Sequence, residues 1–285
     1  MQNRPMARIM DRSLCVALIA AASSGAAAQV VRPGEEKLTL MLGAFLPAFK
    51  TKIRVDNEQT GASGDAVDLG DDLGVDEDTS GGWVGAEWRF APRHRVGFTY
   101  SRFTMSGERA IARNLQIGDE VYPAGATLSS RLRLEIIPIA YSYSLLKRSH
   151  DELALTAGVH WSRLTFNVQG TASLNNTQDS SNEASAKANV PLPLLGVRYD
   201  HHFSERWSAG ANVGVFAMKF GQDDFHFEGE LWSVRLHAEY RFARNFSLGA
   251  AIDGFQVSVE ASQSELRGGF DYGYWGPQIY LTARF

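Results

Sequence analysis

LWSVRLHAEYRF, residues 231–242, alternates without a break. Trp232, Val234, Leu236, Ala238, Tyr240 and Phe242 share one face, and Ser233, Arg235, His237, Glu239 and Arg241 share the other. Period-two alternation is the mark of a strand with unlike surroundings on its two sides. A soluble sheet with one wetted face alternates the same way, so the punctuation around the strand decides the fold. The strand ends in a short polar turn, FARNF (242–246), and three further turns of this kind are APRHR (91–95), KRSHD (147–151) and FSERW (203–207). The spacings from Lys37 to Arg93, Arg93 to Ser149 and Ser149 to Glu205 are each 56 residues, and those from Glu205 to Arg244 and Arg244 to the end are 39 and 41. Each interval holds one hairpin, so ten strands are expected, with 8 or 12 as alternatives. The opposite hairpin ends carry long polar segments at 56–82, 106–130 and 170–189, then shorter ones near 221–229 and 262–269.

The first residues form a separate unit. Arg4, Arg8 and Arg12 precede an apolar stretch from Leu14 to Ala22 and then Ala26-Ala27-Ala28. A basic start, a short apolar core and an A-x-A site have the form of a secretory signal peptide. The expected division is a signal over 1–28, cleaved after Ala28, and one domain over 29–285. Cys15 is the single cysteine and leaves with the signal, which excludes thiolate metal sites and disulfides from the remaining 257 residues. Subtracting the signal's three Arg and one Asp from 28 basic and 32 acidic residues leaves 25 against 31, a net charge of −6. That balance gives no reason to expect nucleic acid as a partner. No stretch of 29–285 approaches 18 continuous apolar residues, so helical membrane spans are not expected.

Short turns on one side, long loops on the other, an even strand number and aromatic residues beside every short turn resemble an outer-membrane β-barrel protein of proteobacterial type. The resemblance covers the whole of 29–285 and implies a closed, up-and-down, antiparallel transmembrane barrel in the cell outer membrane. Trp88, Phe90, Phe98, Tyr141, Tyr143, Tyr199, Phe203, Trp207, Tyr240, Phe242, Phe246 and Phe285 would form the aromatic girdle. The chain ends on YLTARF (280–285), with Phe285, Leu281 and Ile279 on one face. In this class such an ending is what the barrel-assembly machinery reads, so these three residues are the expected assembly signal. The resemblance also implies outer-membrane lipid and lipopolysaccharide as surroundings. Pro138, Pro191, Pro193 and Pro277 fall within the proposed strands and suggest bulges or strand ends.

Three groups of residues are candidates for chemistry. If Val84, Ala86, Trp88 and Phe90 face lipid, Glu87 and Arg89 point into the lumen. The same reading places Arg131, Arg133, Glu135, His160, Arg198, Asp200, Arg235, His237, Glu239, Arg241, Asp253 and Arg284 inside. A ten-stranded barrel has little room beyond its own side chains, so this charge ladder is expected to fill the core as ion pairs, with a narrow solute path as its functional alternative. The second group is the acidic first loop, Asp65, Asp68, Asp71, Asp72, Asp76, Glu77 and Asp78, whose spacing is not that of an EF-hand; it is read as solvated, and neither metal nor cofactor is expected. The third group is similar to the ten-stranded omptin proteases, which set a D-x-D against a D-x-H at the extracellular rim. Asp76 and Asp78 in the first loop, with Asp224 and His226 in the fourth, match those two motifs and would activate water for hydrolysis. A Ser–His lipid hydrolase could instead use His160 with Ser162 or His237 with Ser233. The favoured reading is non-enzymatic, a structural or surface protein or a narrow small-solute pore, with a rim hydrolase as the alternative.

Overall fold

A computed structural model describes residues 34–56, 64–117, 120–172, 180–222, 225–263 and 266–285. The expected signal, 1–28, lies outside the described residues. The strands in chain order are β1 (Leu38–Phe45), β2 (Ala48–Val55), β3 (Ala66–Asp68), β4 (Gly81–Ala91), β5 (His94–Ala110), β6 (Leu115–Ile117), β7 (Glu120–Tyr122), β8 (Thr127–Lys147), β9 (Asp151–Ala172), β10 (Ser180–His202), β11 (Trp207–Gln222), β12 (Phe225–Arg241), β13 (Phe246–Gln263) and β14 (Leu266–Arg284). β1 and β2 are one wall strand broken at Leu46–Pro47, and with β4, β5 and β8 to β14 they make ten. Every neighbour is antiparallel, and β14 pairs with β1 through Leu40↔Ala283 and Leu42↔Leu281 to close the ring. Phe285 completes the seam: its N–H donates to the Leu38 carbonyl at 2.8 Å, and its carbonyl accepts from Lys37 and Leu38 N–H. Closing the ring in this way removes the two free edges that an open sheet would expose.

The four short turns all lie at one end. The opposite end is built differently from the sequence expectation, because strands run well into the segments read as loops. β8, β9 and β10 have 21, 22 and 23 residues, about twice the 9–11 that cross a bilayer. β3 and the β6–β7 hairpin are short additions at this end. Tyr122, fully buried, packs over Gly170, where any side chain would collide with its ring.

The long strands keep one geometric parity but change character along their length. Near the short turns, the outer face is apolar: Leu155, Val159, Leu195, Val197, Val213, Val215, Leu236, Leu248, Ile252, Ile279 and Leu281 are all exposed. Most of the girdle aromatics stand outward in this band, with Trp88, Phe90, Phe203, Trp207 and Phe242 each about half exposed or more. Further along the same strands the pattern turns inside out. Leu128, Leu132 and Leu134 of β8 point inward at 0% exposure, and Phe103, Leu164, Phe166, Val168 and Leu192 are buried beside them. Phe45, Phe49, Phe103 and Tyr274 interlock edge to face, with ring centroids 5.1–5.8 Å apart. This upper half therefore has an apolar core inside and a polar outer surface, like a soluble barrel.

That reversal corrects part of the expected charge ladder. Arg131 and Arg133 are exposed on the outer face, and Glu135 stands on the same face between Arg102 and Arg163. The rule that apolar residues face outward holds only within the apolar band. Beyond the band the outside is polar, so the hydrophobic members of the alternation, Leu132, Leu134 and Ile136, are the inward ones.

The prolines are neither bulges nor strand ends. The bulges fall elsewhere, at Arg89/Ala91 and Ser144/Leu146. In a strand, residues of one parity offer their amides to the same neighbour, so a proline removes donors from one edge only. Pro277 turns its carbonyl toward the first wall strand, accepting from Leu46 N–H at 3.1 Å, opposite the break between β1 and β2. Pro191 and Pro193 also stand outward, on a strand of the same direction, and so deprive the edge facing β11. Pairing of β10 with β11 accordingly stops at Leu195↔Val215, although both strands continue. Pro138 faces the other way, and the β5–β8 register lacks partners between Phe98↔Ile139 and Ser101↔Ile136.

The reversed patterning has a measurable consequence. Leu134→Ala should lower stability by about 2–5 kcal/mol, the cost of deleting a fully buried leucine side chain. Arg133→Ala, one residue away, should change it by less than about 0.5 kcal/mol. Urea unfolding of the detergent-folded protein, followed by tryptophan fluorescence, reads both.

Candidate functional site

The inner face near the short turns carries the densest set of ionisable groups. Its members come from alternate positions of β4, β5, β9, β10, β12, β13 and β14, whose outward neighbours are the apolar band. Arg89 donates to Glu152 through two nitrogens, at 3.0 and 2.8 Å. Arg95 lies 3.1 Å from Glu152, 3.2 Å from Glu87 and 3.9 Å from Asp200. Arg198 bridges Glu87 at 2.5 Å and Asp200 at 2.7 Å, and His237 Nε2 is 3.3 Å from Asp200. Arg284 pairs with Glu239 and, at 3.4 Å, with Glu36, which Arg241 approaches to 3.7 Å. Ser144 donates to Glu152, and Tyr280 donates to Glu239 at 3.1 Å.

One level further in, Arg235 donates to Asp253 and to Gln278, each at 3.1 Å. Its guanidinium also stacks over Trp83 at 5.4 Å and Tyr280 at 5.3 Å. Six arginines therefore meet six carboxylates: Arg89, Arg95, Arg198, Arg235, Arg241 and Arg284 against Glu36, Glu87, Glu152, Asp200, Glu239 and Asp253. The formal charges of these arginines and carboxylates balance, six against six, and His237 joins them through Asp200. A cavity of about 290 Å³ lies between this network and the apolar core, encircled by residues of all ten wall strands. Asn212 Oδ1 and Asp253 Oδ1 are buried there without a protein hydrogen bond, which suits a small hydrated chamber.

Of the residues singled out from sequence, Glu87, Arg89, Arg198, Asp200, His237, Glu239, Arg241 and Arg284 are thus brought together, Arg235 with Asp253 sits beside them, and Arg131, Arg133 and Glu135 are excluded. His160 is apart, in the apolar core, stacked on Phe255 at 4.2 Å. Its Nε2 and the Ser162 hydroxyl both bond the buried Tyr272 hydroxyl, at 3.2 and 2.5 Å. This pair is enclosed in the core, away from both barrel ends, and its histidine is engaged by Tyr272. Ser233 and His237 share a face, but His237 is engaged by Asp200. Glu36, Arg95, Glu152 and Gln278 belong to the network and were missed. Arg95 closes the expected turn APRHR, whereas β5 begins at His94. Its alternation with the outward Val96 and Phe98 was the available signal.

The rim motifs divide between described and undescribed residues. Asp76 and Asp78 are exposed in the first loop, where Asp76 Oδ1 accepts from the Asp78 N–H at 3.1 Å. Asp224 lies outside the described residues, and the side chain of His226 does too, its backbone pairing with Ser262 and Gly221. Of the rest of the acidic loop, Asp65, Asp68 and Asp72 are engaged with backbone amides, with Arg113 or with Lys52. Asp68 Oδ1 accepts from Gly70 and Asp71 N–H, Asp72 Oδ2 accepts from Asp68 N–H at 3.0 Å, and Arg113 lies 3.5 Å from Asp65 and 3.3 Å from Asp72. Burial and the nearby Asp68 push the Glu77 carboxyl up from its ordinary value.

The closed antiparallel ring, apolar outer band and polar lower lumen define the fold of outer-membrane β-barrel proteins. No family model and no curated protein matches the chain. Among solved structures, it is similar to the outer membrane protease OmpT from Escherichia coli, at TM-score 0.57 and 13% identity over 87% of this chain and 96% of that one. The translocator domain of autotransporter NalP from Neisseria meningitidis aligns at TM-score 0.40 and 12% identity, covering 96% and 95% of the two chains. The toluene transporter TodX from Pseudomonas putida aligns at 0.36 and 10%, covering 92% and 94%. At 13% identity the likeness to OmpT establishes the fold and not the chemistry.

Buried charges that lose a partner are costly. Glu152→Gln would leave Arg89 and Arg95 underneutralised in a setting only 6% exposed and should destabilise by about 3–5 kcal/mol. Arg102→Ala, on a half-exposed side chain 3.9 Å from Glu135, should cost about 1 kcal/mol or less. The comparison is read as the shift in urea midpoint.

Proposed function

We propose that the chain is an integral outer-membrane protein with a sealed, non-enzymatic barrel, exported by its N-terminal signal and cleaved after Ala28. Its role is to carry a rigid polar surface and loops outward from the membrane. The observation that carries this reading is the packed upper lumen. Leu128, Leu132 and Leu134 are at 0% exposure, and interlocked aromatic rings close the section above the 290 Å³ chamber. An aqueous route would have to cross this apolar layer, so the barrel favours a structural or surface role over a solute pore. The ion-pair network beneath it holds the strands together across the lumen. Phe285, Leu281 and Ile279 stand outward at the closing seam, where we place the signal for the barrel-assembly machinery.

The test uses one refolded sample in two assays. In planar bilayers the protein should produce no steady single-channel steps, and in detergent it should hydrolyse neither peptides nor phospholipids. Regular conductance steps would overturn the sealed barrel. Peptide cleavage lost in both Asp76→Ala and His226→Ala would establish the rim protease instead. Deletion of Phe285 should sharply reduce the heat-modifiable, membrane-inserted form in cells while the purified variant refolds in detergent with unchanged strand content.

A further inference from the structure

The arginines displaced from the lumen form an outward lattice, set by strand register. On the first polar rung above the apolar band, Arg102, Glu135, Arg163 and Asn189 lie side by side on β5, β8, β9 and β10. The second rung reads Thr104, Arg133, Thr165 and Lys187, and the third Ser106, Arg131, Asn167 and Ser185. Neighbouring strands are about 4.8 Å apart and successive rungs about 6.8 Å, so five cations and one carboxylate occupy a patch a few residues wide. Glu135 is shared loosely, 3.9 Å from Arg102 and 4.0 Å from Arg163. Among the described residues, Arg131, Arg133 and Lys187 have no ion pair. Glu108 and Glu183 follow only on the fourth rung, at its two ends.

The rung below the patch is Ile137 with Trp161 and Pro191, and below that come Ile139, Val159 and Pro193. Trp161 marks the boundary, with the Arg163 guanidinium 4.9 Å above its ring. Lys52 and Arg54 of β2 and Lys219 of β11, also outward, do have partners. Lys52 lies 3.8 Å from Asp68, Arg54 3.2 Å from Asp56, and Lys219 2.6 Å from Glu228.

We propose that this lattice on β5, β8, β9 and β10 binds the phosphate groups of a lipid in the outer leaflet, one carrying two phosphates. The argument is chemical. Arginine forks match phosphate oxygens in pairs, the spare cations sit two and three rungs above the apolar edge, and the exposed Ile139 and Val159 below offer the surface for acyl chains. A headgroup there would bridge cations on adjacent strands and draw the lipid to one side of the barrel. The inference rests on the barrel being membrane-embedded, which the test checks separately.

The experiment is native mass spectrometry of the full refolded chain in micelles doped with lipid A, which has two phosphates, with its monophosphoryl form, or with phosphatidylcholine. Lipid A should be retained at least tenfold over phosphatidylcholine, with the monophosphoryl form between them. Arg131→Ala combined with Arg133→Ala should reduce lipid A retention about tenfold, and Arg163→Gln should reduce it several-fold. Lys50→Ala with Lys52→Ala, on the other wall, should leave it unchanged, and every variant should keep the heat-modifiable gel shift of the folded barrel. Equal retention by the wild type and the Arg131/Arg133 variant would overturn the proposal. So would full competition by equimolar inorganic phosphate, which would make the patch a free-phosphate site. Flotation with liposomes tests embedding itself: a protein that fails to float overturns the membrane reading whatever lipid it retains.

Discussion

A residue in a strand cannot choose its face independently of its neighbours. Side chains alternate strictly, so a strand of more than 20 residues that leaves one environment and enters another must keep its geometry and change its chemistry. Everything distinctive here follows from that constraint. On β10, Leu195, Val197 and Tyr199 stand outward with Arg198 and Asp200 inside. A few residues earlier on the same strand, Lys187 and Asn189 stand outward with Val190 and Leu192 inside. The wall is one continuous sheet, yet its lower half has an apolar exterior and its upper half an apolar interior.

The two halves are held together differently. In the upper half, burial of leucine, phenylalanine and tyrosine side chains supplies the stabilisation, at about 1.5–3 kcal/mol for each large apolar group. In the lower half the interior is polar because the exterior is not, and burying charge there is favourable only when it is compensated. The six-against-six balance of arginines and carboxylates meets that requirement, with serine, tyrosine and glutamine hydroxyls and amides filling remaining positions. The small chamber between the halves lies where one regime gives way to the other, and it mixes Phe45 and Trp83 with Arg235 and Asp253.

Prolines show how local chemistry shapes the wall without breaking it. A missing amide matters only on the edge it would have faced. Pro191 and Pro193 end the β10–β11 ladder while leaving β10 fully paired to β9. Pro277, with Gly276 beside it, accommodates the interruption of the wall strand at Leu46–Pro47, since a side chain at Gly276 would strike the Leu46 carbonyl. The sequence suggests bulges or strand ends at these residues because it does not say which neighbour each amide faces.

The sequence by itself determined the strand count, the end on which the short turns lie and the outward face of YLTARF, because alternation and turn residues are local properties. It also placed Glu87, Arg89, Arg198, Asp200 and Arg284 correctly on the inward face, since each alternates with apolar or aromatic residues inside the band. It could not tell where the band stopped. Arg133 and Glu135 alternate with Leu132 and Leu134 just as Arg235 and His237 alternate with Val234 and Leu236, and nothing in that pattern says which member looks outward. Only the tertiary structure decided it, through the height of each residue along the tilted wall. That height depends on register with strands far away in the chain, and it determines whether the outside of the barrel is apolar or polar.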